Sequence, residues 1–87
     1  MKRYLVRIEF DKCHVVEVTK AKDNEDLKKK VAERYVKSLC YYNDMKGIEY
    51  GVLSRKVLEG DWMFVGEWIN AESLKDYISG EDKKFYE

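Results

Sequence analysis

Few side chains in this 87-residue chain could do covalent chemistry: two thiols, Cys13 and Cys40, and one imidazole, His14. A thiol nucleophile needs a base within hydrogen-bond reach. Cys13 and His14 are neighbours, but adjacent residues of a strand point to opposite faces, so from a strand they can neither couple nor chelate one ion. No spacing in the sequence brings Cys40 to them. A structural zinc site takes three or four ligands of the Cys, His or carboxylate type, and the two cysteines form no C-x-x-C pattern. The expectation is therefore two reduced thiols, no metal and no cofactor. Glu9, Glu17 and Glu67 fall in strand-like stretches and read as solvent-facing. Gly47, Gly51, Gly60, Gly66 and Gly80 match neither of the glycine patterns that cradle phosphate. No catalytic residue is assigned, and the chain reads as non-enzymatic.

Two surfaces could bind rather than catalyse. Lys30, Arg34, Lys37 and Tyr41 recur at helical spacing opposite an apolar arc, where cations beside an aromatic could follow a phosphate backbone and stack a base. A lysine-rich outer face is also the ordinary way a helix stays soluble. The second surface is a strand-like run from Trp62 to Ile69. Trp62, Phe64, Gly66 and Trp68 share one face, and Met63, Val65, Glu67 and Ile69 the other. The preceding stretch adds Tyr50, Val52 and Leu58 on one side and Leu53 and Val57 on the other. Strands apolar on both faces need cover on both faces. If the helices share one side, then Trp62, Phe64, Trp68 and Tyr50 form an aromatic patch fit for a protein partner or a second copy of the chain.

The elements that must carry these residues follow from periodicity. Tyr4, Val6, Ile8 and Phe10 alternate with polar residues, and a second strand runs from His14 to Thr19. Setting Phe10 opposite His14 pairs Ile8 with Val16, Val6 with Val18 and Arg7 with Glu17. Asp23 or Asn24 can cap a long helix whose apolar stripe is Leu27, Val31, Ala32, Tyr35, Val36, Leu39 and Tyr42. Asn43, Asp44 and Gly47 end it. Ile48 to Leu58 reads as a third strand and Trp62 to Ile69 as a fourth. Asn70 then caps a short helix carrying Leu74, Tyr77 and Ile78.

The predicted fold is a single α+β domain over residues 1–80, in the order ββαββα, with a mostly antiparallel four-stranded sheet and a charged tail over 81–87. The first forty residues also resemble the hairpin-then-helix opening of ubiquitin-like β-grasp domains, which makes that topology the alternative; the C-terminal Gly-Gly of ubiquitin itself is absent.

Composition narrows the function classes. Charged residues make up 39% and hydrophobic ones 45%, with 17 basic against 17 acidic side chains. Disorder is excluded by the apolar content, and no whole-molecule field draws the chain to nucleic acid or acidic lipid. No apolar run is long enough to span a membrane, and the N-terminus shows no signal-peptide pattern, so a cytoplasmic location is expected. The excess of Lys over Arg and the scarcity of Ala suggest an AT-rich coding source such as a phage or plasmid. The expectation is a small accessory or inhibitor protein that binds and occludes a partner protein, with a homodimer as a further option. A nucleic-acid-binding regulator using the Lys30–Tyr41 face is the alternative.

Overall fold

The computed structural model describes residues 1–41, 44–53 and 66–78. Its strands are β1 (Lys2–Phe10), β2 (His14–Ala21), β3 (Met45–Val52) and β4 (Glu67–Asn70). Helices α1 (Asn24–Arg34) and α2 (Val36–Cys40) follow β2, and α3 (Ala71–Leu74) follows β4 and runs into a 3-10 turn, Lys75–Tyr77. The order is ββαββα, as expected, with the single long helix divided in two. The sheet order is β2-β1-β3-β4 and every pairing is antiparallel. Because β1 is antiparallel to both neighbours, the β-grasp alternative, which sets the first strand beside a parallel last one, does not hold. None of the described helices is long and apolar enough to cross a membrane.

The hairpin register differs by one residue from the expected one. Phe10 N–H donates to Cys13 O at 2.8 Å, so the loop is Asp11-Lys12 and Phe10 faces Cys13. Ile8 then faces Val15, Arg7 faces Val16, Val6 faces Glu17 and Leu5 faces Val18. Arg7 and Glu17 lie on opposite faces and make no pair. The shift turns Glu17 inward, towards the helices, and Val16 and Val18 outward. It is tolerated because the carboxylate finds partners: Glu17 takes an ion pair from Arg34 at the end of α1, and hydrogen bonds from Tyr35 Oη at 3.3 Å and Thr19 Oγ1 at 3.2 Å. A half-buried charge with three donors no longer costs what an orphan would.

Helix α1 starts where the sequence provides a cap. Asp23 accepts from Asp26 N–H at 2.8 Å, and Asp26 reaches back to Lys22 N–H at 2.9 Å, so the two carboxylates satisfy exposed donors at the helix start. The Lys22 N–H bond, followed by the Lys30 ammonium, holds the Asp26 carboxyl below its usual range. Leu27, Val31, Ala32 and Leu39 are buried, while Tyr35 and Val36 pack at the margin. The break falls at Tyr35 (φ −110°, ψ 29°), where the side chain leans on Phe10 and reaches Glu17. Tyr42 lies outside the described residues.

Beneath the helices, Tyr4, Val6 and Ile8 of β1 and Met45, Ile48 and Tyr50 of β3 form the core floor, with Leu74, Ala71 and Ile78 closing one end. Strand β3 begins at Met45, three residues earlier than periodicity suggests, because Asp11 N–H takes Asp44 O at 3.0 Å and brings the chain alongside β1 there. The expected strand segments beyond Leu53 and before Gly66 lie outside the described residues, as does the tail.

Candidate protein-binding face

Directly opposed residues of an antiparallel sheet share a face, so the registers divide the sheet's side chains cleanly. One face carries the core. On the other lie Val16, Arg7, Glu49 and Trp68, in one row running across all four strands. Val18 and Leu5 form a parallel row beside Gly51. Among the described residues no helix covers this face. Leu5 is nevertheless buried, and with Leu53 it makes a small apolar cluster separate from the main core. Trp68, Val16 and Val18 are 48%, 49% and 48% exposed.

Trp68 is held in place from two directions. Its indole Nε1–H donates to Asn70 Oδ1 at 3.1 Å. Gly47, on the neighbouring strand, leaves the space the ring uses: a Cβ there would lie 2.8 Å from Trp68 Cζ2 and 2.3 Å from the Ile69 carbonyl oxygen. Gly66 is under the same demand at the entrance to β4, where a Cβ would fall 1.1 Å from the Tyr50 carbonyl oxygen. Asn70 occupies the expected N-cap position of α3 but makes no side-chain capping bond; its amide oxygen serves the indole instead. A cleft of about 310 Å³ adjoins the ring, edged by Lys28, Ser73, Asp76 and Tyr77. The Tyr77 hydroxyl donates to Glu25 at 2.8 Å, and that bond leads the causes that raise its pKa.

The other residues singled out by the sequence are placed differently. Tyr50 is not on the aromatic surface. It lies on the core face, only 3% exposed, edge-on to Tyr4 with ring centroids 6.2 Å apart, and its hydroxyl donates to Glu67 at 3.1 Å. Register explains the correction: Tyr50 faces Val6 and Glu67, whereas Trp68 faces Glu49. Burial, then the Glu67 carboxylate, pushes the Tyr50 phenol up to about 12. Trp62 and Phe64 lie outside the described residues. Of the basic helix face, Arg34 turns back to Glu17, and Lys30 bonds Asp26 at 3.3 Å and Lys20 O at 2.8 Å. Tyr41 is exposed, and Lys37 is exposed on α2. Cys13 is exposed and Cys40 half-buried, and neither is in a disulfide. Among the described residues, no group of three or more His, Cys, Asp or Glu side chains is placed to hold a metal ion.

Sequence reasoning missed Val16 and Val18 as surface residues, having placed them in the core on the shifted register. The signal that could have found them is the inward glutamate: once Glu17 is given to Arg34, the flanking valines must face away. Comparison with protein families, with curated proteins and with solved structures finds no match to this chain.

Proposed function

We propose that this chain is a non-enzymatic protein-interaction module, an accessory or inhibitor protein that occludes a partner's surface with the sheet face opposite the core, Trp68 as its anchor. The observation carrying this reading is the fixed, half-exposed indole. Its N–H is already satisfied by Asn70, so a partner gains an apolar ring without having to replace a hydrogen bond. The ring also loses little freedom on docking, and such preorganised aromatic anchors supply most of the affinity at protein interfaces. Arg7, Glu49 and Asp76 around it would set the partner's register by charge. A cytoplasmic site of action fits two cysteines outside any disulfide, and a phage or plasmid origin fits the Lys-over-Arg bias. The alternative, nucleic-acid binding through α1 and α2, has less to work with because Lys30 and Arg34 are engaged within the fold.

The test is affinity capture from source cells with wild type and Trp68→Ala as parallel baits. A partner retained by the first and lost by the second, with binding that persists as salt is raised, supports the reading. Capture of nucleic acid that weakens steeply with salt supports the alternative.

A further inference from the structure

Among the described residues β2 is an edge strand, and its outer side has a definite hydrogen-bonding pattern. In an antiparallel ladder, alternate residues of a strand direct both backbone groups to one neighbour and the intervening residues direct theirs to the other side. The bond from Phe10 N–H to Cys13 O sets β1's even residues towards β2, and the bond from Leu53 N–H to Arg3 O sets its odd residues towards β3. With the observed register, Val15, Glu17 and Thr19 bond β1. His14, Val16, Val18 and Lys20 therefore direct N–H and C=O away from the sheet. Lys20 confirms the parity independently, since its carbonyl accepts from the Lys30 ammonium at 2.8 Å. That contact closes the C-terminal end of the edge. His14, Val16 and Val18 remain as a row of outward donors and acceptors beneath exposed side chains.

Natural edges are commonly blunted by inward charges, bulges, proline or a covering element. Here the inward charge, Glu17, is neutralised by Arg34, the β1–β2 register runs without a bulge from Lys2 to Glu9, and the chain contains no proline.

We propose that β2 pairs antiparallel with β2 of a second copy of this chain, about a two-fold axis at Val16, to make a continuous eight-stranded sheet. Two-fold registers centred on Val15, Val16, Glu17 or Val18 set outward groups against outward groups, and centring on Val15 pairs only His14 with Val16. Centring on Glu17 would oppose two carboxylates. Centring on Val18 would require Lys20, whose carbonyl is taken by Lys30. Centring on Val16 pairs Val16 with Val16 and His14 with Val18, and gives about six interchain backbone hydrogen bonds. Among the residues it pairs it opposes no like charges, and it extends the apolar row of the faces opposite the core across the axis. Self-pairing requires nothing of Trp68, so it can fail without affecting the proposed function. If it holds, both Trp68 surfaces lie on one side of a single sheet.

The experiment is sedimentation of the full chain over a concentration range of roughly 1 µM to 1 mM, with amide exchange at the top of that range. Wild type should move from 10.4 kDa towards twice that mass, with the amides of His14, Val16 and Val18 becoming protected. Val16→Pro removes only the outward donor, a position where edge strands accept proline, and should stay monomeric while Val15 and Glu17 keep their protection. If that variant does not fold, Val16→Glu serves. It faces Arg7 within the chain but sets two carboxylates against each other across the axis, and should lower self-affinity by about fivefold. A wild type monomeric throughout, a dimer with His14, Val16 and Val18 unprotected, or Val16→Glu dimerising as wild type does would each overturn the proposal.

Discussion

Replacing Gly47 by Ala tests the link between the sheet and the indole. The new methyl group would sit 2.3 Å from the Ile69 carbonyl oxygen, where ordinary contact begins at 3.4 Å, and 2.8 Å from Trp68 Cζ2. The ring edge can swing, but the carbonyl is backbone, so β4 must retreat from β3 by roughly 1 Å. Ile48 and Ile69 face each other at that point, and stretching their ladder by such a distance forfeits one or two hydrogen bonds at about 0.5–1.5 kcal/mol each. Overpacking strain adds about 1–3 kcal/mol. The expected loss is about 2–6 kcal/mol in urea denaturation followed by circular dichroism. It should be accompanied by a shift of the Trp68 indole N–H resonance, because the Asn70 bond is displaced with the strand. A variant within about 0.5 kcal/mol of wild type with that resonance unmoved would show that Gly47 does not seat the ring.

Two further outcomes follow from the polar contacts on the core side. Tyr50→Phe should cost about 0.5–1.5 kcal/mol through the lost bond to Glu67 and should flatten the alkaline stability profile. The Tyr50 phenol titrates near 12 when folded against 10.0 otherwise, so its stabilisation is complete below pH 10 and is lost as pH rises towards 12; a profile unchanged by the substitution would remove Tyr50 as its source. A double-mutant cycle of Glu17→Gln and Arg34→Met should give a coupling of about 1 kcal/mol, since the guanidinium is nearly half exposed. Additive losses would mean the inward glutamate is held by Tyr35 and Thr19 alone.

The parts of this fold that were legible in the sequence are those that local chemistry decides. Asp23 caps α1 because a short carboxylate before an apolar stripe satisfies free N–H groups wherever it occurs, and Leu27, Val31 and Leu39 recur at a spacing that admits one buried face. The hairpin register was not legible, because it depends on Arg34, 17 residues away from Glu17, coming back to hold the carboxylate. Pairing like with like buried Val16 and Val18 on paper; the tertiary ion pair reverses both. Tyr50 was assigned to the wrong face for a similar reason, since alternation within β3 cannot say which face the helices cover. Nor could the Asn70 side chain be foreseen as the partner of the Trp68 indole, because a capping position predicts its location but not what competes for its oxygen.

The most direct test of the account is the affinity of Trp68→Ala for the partner captured by wild type, measured well below the melting temperatures of both proteins. Half of the indole is buried against the sheet, so the variant should lose about 1–3 kcal/mol of stability yet remain folded at the working temperature. The expected loss in affinity is at least about 30-fold, the mark of a hot-spot anchor. Binding within about threefold of wild type by a folded variant would contradict it and take the partner surface away from the sheet face opposite the core.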